Sequence, residues 1–266
     1  MTEPKITLKE RKHPRLWQGY KYWDELMGAR KKHLLRKSAI ERGASSYDIG
    51  FEQSAIDTFT DMMNKAAGEM RDEGELVGPI WDWLTSIKGI GKSGSTAAKL
   101  LALFDDISTF ENVSQFWRYA GQAVIGGEAE HSISGEKLHY NAQLKSECWL
   151  LSQQFVRQQT PPYVMYYYAE KERQQALHPD PICTKCGMLA LKKGQSWCCP
   201  EHGKGRYVHF TPAHIDNRAR RKMVKIFLQH FWLTWRKAEG LSVNMPYVHE
   251  KLGHTTYYVP TEEAAS

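Results

Sequence analysis

The sequence predicts a mainly α-helical fold interrupted by one small, turn-rich insert. Two observations carry that expectation. Apolar residues recur at three- and four-residue spacing through most of the chain, and between residues 179 and 211 that period gives way to prolines, glycines and four of the five cysteines. Composition sets the class: 41% of the 266 residues are hydrophobic and 25% charged, with a mean hydropathy of −0.57. Such a chain has enough apolar mass for a core and is neither collagen-like nor wholly disordered. No stretch approaches the roughly 18 apolar residues of a membrane span. The opening MTEPKITLKERKHPRL lacks the apolar centre of an export signal, so a cytoplasmic location is expected.

The first helix is expected over residues 14–42, with Leu16, Tyr20, Trp23, Leu26 and Met27, then Leu34 and Leu35, in register and Gly43 as the stop. A second, near 50–72, lines up Phe51, Ile56, Phe59, Met62, Met63 and Met70. Residues 1–78 thus read as a helical arm that could join two copies of the chain, although its stripe is too short to specify a coiled-coil partner. Residues 79–178 read as the core. In it PIWDWLTSI, the turn KGIGKSG and STAAKLLALF form helix, glycine hairpin and helix, and a short helix from Val113 ends at Gly121. A loop rich in Gly, Glu, Ser and His covers 121–141, and a long helical stretch runs from about Ala142 to Leu177 with a break at Pro161-Pro162. Residues 179–211 are the insert, 212–240 a basic helix expected to pack back on the core, and 241–266 a tail without period.

Net charge is only +6, so charge alone does not imply nucleic acid; its distribution says more. Residues 10–43 carry ten Lys/Arg against four Asp/Glu, residues 44–80 two against eight, and residues 185–225 ten against two. Either basic block could also be a solvated helix face.

Three constellations could carry chemistry. In Lys88-Gly89-Ile90-Gly91-Lys92-Ser93, followed by Lys99, two glycines let the chain turn and aim backbone N–H groups from a helix N-terminus at a phosphate. This is the helix-hairpin-helix pattern of sequence-independent DNA contact; a purely structural turn is the alternative. Cys183-x-x-Cys186-Gly and Cys199-x-x-His202-Gly form two matching knuckles suited to tetrahedral zinc. Cys199 rather than Cys198 repeats the spacing. Four protein ligands would close the site, making the insert zinc-ribbon-like and the metal structural. A disulfide framework is the alternative, and Cys148 reads as a core thiol. Such a site could hold up Lys192, Lys193, Lys204 and Arg206 as a basic surface. The third constellation is the loop His131-Ser132-Ile133-Ser134-Gly135-Glu136-Lys137 with His139, where serine, histidine and acid invite a nucleophile reading but also suit an ordinary loop. On the last basic helix, Arg218, Arg220, Arg221 and Lys222, near His214 and Asp216, read as a backbone-binding face. Among Tyr166, Tyr167 and Tyr168, some could stack on bases, while at least one should be core.

The run Leu84-Thr-Ser-Ile-Lys-Gly-Ile-Gly, Ala97-Ala98-Lys-Leu-Leu-Ala-Leu-Phe-Asp-Asp-Ile, Thr109-Phe110, Phe116-Trp-Arg-Tyr-Ala-Gly121 resembles the C-terminal half of insertion-sequence transposases, the bridge-RNA-guided serine recombinases. The likeness covers about residues 80–160, with a fainter echo in the last helix. It implies a nucleophilic serine in the Ser-Gly loop, which falls on Ser134, with Ser132 as second choice. The family's N-terminal ribonuclease-H-like domain, whose acidic residues bind metal, has no counterpart in the helical pattern before the hairpin. The resemblance therefore implies a stand-alone relative from a phage or mobile element that keeps DNA binding with catalysis lost or changed.

The expected function is binding of DNA, branched DNA or structured RNA included, by backbone contacts at the hairpin and at a zinc-supported basic face. Two alternatives stand beside it: a serine recombinase completed by a partner or guide RNA, and a structural or adaptor protein of a phage or mobile-element assembly.

Overall fold

The computed structural model describes residues 11–91, 94–205 and 207–243. The chain is mainly helical, and its described residues form two compact units: 11–111 with 234–243, and 112–233. Among the described residues, no helix is long and apolar enough to cross a membrane.

In the first unit, helices α1 (Pro14–Glu41) and α2 (Ile49–Glu75) form an antiparallel hairpin. Asp48 caps α2 by accepting from the Phe51 N–H at 2.6 Å. Across the pair, Arg30 reaches Thr60, His33 reaches the buried carboxylate of Glu52 at 2.7 Å, and Lys37 reaches Gln53. Helix α3 (Pro79–Ser86) follows, with Pro79 in its first turn, where the missing N–H costs nothing. Helix α4 (Ser95–Phe104) then buries Ala97, Ala98, Leu100, Leu101, Ala102, Leu103 and Phe104, apolar on most of its circumference as suits a central helix. The end of the last helix belongs here too: buried Arg236 donates to the carbonyls of Phe110 and Ser242, at 3.0 and 2.8 Å.

The second unit holds α5 (Val113–Tyr119), a short hairpin of β1 (Val124–Ile125) with β2 (Glu128–Ala129), α6 (Ala142–Gln158) and α7 (Tyr163–Leu177). The insert contributes β3 (Ile182–Cys183), β4 (Leu191–Lys193), β5 (Ser196–Cys198) and β6 (Val208–His209), paired antiparallel as β3–β6 and β4–β5. Helix α8 (Pro212–Ala238) supplies the unit's spine. Phe227 lies edge-on to both Phe155 and Tyr163, at 5.4 and 5.5 Å between ring centres, and Phe116 meets Phe231 at 5.6 Å. Such tilted aromatic pairs add to the burial that glues α5, α6, α7 and α8 together. Cys148 is buried in this core, and burial pushes its thiol pKa up.

The helices fall where the apolar period puts them, and the stretch expected from Ala142 to Leu177 divides at Pro161-Pro162 as anticipated. The division of the chain differs from the reading that sets an arm at 1–78 apart from a core at 79–178. Trp81 of α3 wedges between Gly74 of α2 and Gly94 before α4; a Cβ at those glycines would lie 2.3 and 2.5 Å from its ring. That close packing joins the glycine turn to the arm, and the boundary falls after Glu111. Spacing alone gives no hint of it, because the contact joins residues from three elements. The expected tail from residue 241 lies almost wholly outside the described residues.

Candidate functional site

The insert folds its two knuckles the same way. In the first, the Gly187 N–H donates to the Cys183 carbonyl at 2.7 Å; in the second, the Gly203 N–H donates to the Cys199 carbonyl at 2.9 Å. Both glycines have φ near +70°, at +74° and +70°, where a side chain would strain the turn. Backbone N–H groups of Lys185 and Cys186 donate to the Cys183 sulfur, and that of Met188 to the Cys186 sulfur. The result is a cluster of Cys183, Cys186, Cys199 and His202 whose donor atoms all lie within 4.8 Å of one another, close enough to hold a metal ion. Sγ of Cys183 is 3.7 Å and Sγ of Cys199 3.6 Å from the His202 Nδ1, and the Cys186 and Cys199 sulfurs are 3.5 Å apart. Cys198 is outside the cluster, in β5.

Against the same unit's helices lies a cleft of about 790 Å³. Helix α8 lines it with His214, Arg218, Arg221, Lys222 and Lys225; α7 with Glu170, Arg173 and Gln174; the insert with Lys185, Tyr207 and His209; the β1–β2 hairpin and the following loop with Val124, Ala129, His131 and Ile133. Six cations thus face one carboxylate. Burial opposes ionisation of Glu170, yet its hydrogen bonds from Arg173 and Gln174 hold it below the usual carboxylate range. The other cations crowd one another. Burial, then Lys222 and Arg221, brings the Lys225 pKa down to about 8. Burial, then Arg218, lowers that of Arg221. Burial, then His209 and the neighbouring arginines, lowers His214 to about 4, so it is neutral near pH 7 with its Nδ1 accepting from the Phe210 N–H at 3.1 Å. Like charges brought together in a partly desolvated cleft leave a net attraction for an anion.

Protein-family models, curated proteins and solved structures were compared with the chain, and none matches.

The sequence-derived candidates are placed unequally. Arg218, Arg221 and Lys222 line the cleft; Arg220 does not. It points away, to Asp216 at 2.6 Å and the Ser152 carbonyl at 3.2 Å, and Asp216 also accepts from Tyr167 and pairs with Lys171. Lys192 and Lys193 are exposed on β4, outside the cleft lining. At the glycine turn, Gly89 and Gly91 have φ of +98° and +78°, and the α4 N-terminus has no side-chain cap. Lys88 is exposed, while the Lys99 ammonium rests 3.5 Å from the centre of the Trp23 ring. Lys92, Ser93 and Arg206 lie outside the described residues. Ser134 is exposed, and among the described residues neither imidazole nor carboxylate is hydrogen-bonded to it. Of the tyrosines, Tyr167 is buried and Tyr168 exposed.

Sequence reading passed over Arg173, Lys185 and Lys225 as binding residues. Two of these carried a signal. Positions 214, 218, 221, 222 and 225 share one face at about 100° per residue, and Arg220 falls about 200° from Arg218, beside Asp216 on the opposite side. Lys185 sits between two ligands of a knuckle, which fixes its backbone. Arg173 had none, because its place in the cleft depends on how α7 packs.

Proposed function

We propose that the chain binds nucleic acid, DNA in the first instance, by backbone contacts in this cleft, and that a structural zinc ion braces one wall. The cleft carries the reading: Lys185, Arg218, Arg221, Lys222 and Lys225 converge on one concavity in which, among the described residues, the one lining carboxylate, Glu170, is already held by Arg173. Guanidinium and ammonium groups from separate elements suit a chain of phosphates, which needs charge without a fixed base sequence. The glycine turn with Lys88 offers a second phosphate contact.

Zinc fits the cluster's dimensions. In a tetrahedron with zinc–sulfur bonds of about 2.3 Å and zinc–nitrogen bonds of about 2.0 Å, neighbouring donors lie about 3.5–3.8 Å apart. The observed separations of 3.5, 3.6 and 3.7 Å match. Four protein donors leave no open position for substrate, so the ion's work is structural, and thiolate ligation suits the reducing cytoplasm. On this reading the likeness to bridge-RNA-guided recombinases reflects DNA binding retained within a phage or mobile element, without a nucleophile at Ser134.

The test is binding of purified protein to duplex DNA, four-way junctions and structured RNA across a range of salt concentrations. Affinity is expected to fall steeply with salt, with a log–log slope of several units and little dependence on sequence. Ser134→Ala should bind as the wild type does and give no covalent adduct in either form. A salt-insensitive complex, or a Ser134-dependent adduct, would overturn the proposal.

A further inference from the structure

Beside the basic cleft lies a smaller cavity of about 240 Å³, and the two share Ala129 and Arg221 in their walls. The smaller cavity is also cationic, with Lys145, Arg220 and Arg221 in its wall, but it adds Trp149 of α6, which is 55% exposed, and the amide residues Gln122 and Asn217. Among the described residues, no ring or cation packs on the Trp149 indole. An exposed indole face suits a planar ligand, and an amide offers the donor and acceptor that the edge of a nucleobase requires.

A base within a paired duplex has both faces covered by its neighbours in the stack, so only an unpaired or extruded base can lie on the indole. Together the two cavities have the size of sites that hold drug-sized ligands, comparable with one or two nucleotides.

We propose that this unit takes a single-stranded or extruded stretch of nucleic acid, with one base on Trp149 in the smaller cavity and the adjoining phosphate on Arg221. The proposal rests on the backbone-binding reading and narrows its substrate to strands with unpaired bases. Arg221, common to both walls, links the site for charge to the site for the ring.

The full-length chain is titrated with four probes: a labelled single-stranded oligonucleotide, the same strand with abasic residues in place of its bases, the matched duplex, and heparin. The base-bearing strand is expected to bind about tenfold more tightly than the abasic one. Trp149→Ala should remove that preference while leaving affinity for the abasic strand and heparin unchanged, and Trp149→Phe, which keeps a ring, should retain most of it. Equal binding of base-bearing and abasic strands overturns the proposal and leaves the backbone reading intact. So does a Trp149→Ala protein, or a Trp149→Phe protein if the alanine variant does not fold, that treats the strands in a way unrelated to ring size. Failure of the wild type to bind any of the four probes overturns both readings.

Discussion

At the glycine turn, the ammonium of Lys99 lies over Trp23, and the helix that follows is buried on most sides. Along α8, by contrast, Arg218, Arg221 and Lys222 all open onto one cleft, and Asp216 draws Arg220 out of that set. Both segments read as basic and phosphate-seeking in the sequence. The difference lies in placement. Lys99 and Arg220 are each held by a partner inside the fold, an indole and a carboxylate, whereas Arg218, Arg221 and Lys222 gather on the wall of a cavity wide enough for an outside anion. Local composition is therefore a poor guide to where charge is available.

The largest effect should come from the metal cluster. Cys199→Ala, or chelation, is expected to abolish stoichiometric metal uptake and expose residues 179–211 to proteolysis while the helical circular dichroism persists. Binding of structural zinc in small domains is worth about 10–16 kcal/mol, so a partial effect would break the assignment. Cys198→Ala should leave metal content unchanged, as measured by elemental analysis. Next comes the glycine turn as a structural element. Gly94 has φ +68° and no room for a Cβ beside Trp81, while Gly91 has φ +78° with open space around it. Gly94→Ala should cost about 2–4 kcal/mol in thermal or denaturant unfolding and Gly91→Ala about 1 kcal/mol. Equal costs would show that Trp81 is not wedged there.

Charge neutralisation should follow. Arg221→Ala is expected to lower the salt slope of binding by about one, whereas Lys99→Ala leaves it unchanged. The reverse result would move the binding surface to the glycine turn. The smallest effect concerns pH. Burial and its cationic neighbours bring Lys225 to about 8, so its charged form is disfavoured in the free protein and favoured again by a bound phosphate. Affinity should fall as pH rises through 8, with proton uptake on binding, and Lys225→Gln should flatten that dependence. For the unliganded fold the sign is opposite: stability should rise with pH from about 8 toward the ordinary lysine range.

The helices were legible in the sequence because each buries a stripe with a regular period, and Leu16, Ile56, Leu84 and Phe227 are buried as their spacing requires. The Cys/His cluster was legible because both knuckles are local: two ligands and a glycine carry the geometry of each. The cleft was only half legible. Its α8 wall follows from helical phase, but the contributions of Arg173 and His131 depend on how distant elements pack, which no local pattern records. The partner of Lys99 was hidden for the same reason, since Trp23 stands 76 positions earlier in the chain.

Lys185, a cation of the cleft, lies between two donors of the Cys/His cluster, so on the proposed reading an ion and a nucleic acid would act on one short segment of backbone. Linkage then runs both ways: by whatever factor the ion improves the hold on nucleic acid, nucleic acid improves the hold on the ion. A loaded protein should accordingly surrender its metal to a chelator more slowly than a free one. Scarcity of the metal in a cell would be felt first by molecules not yet on their target.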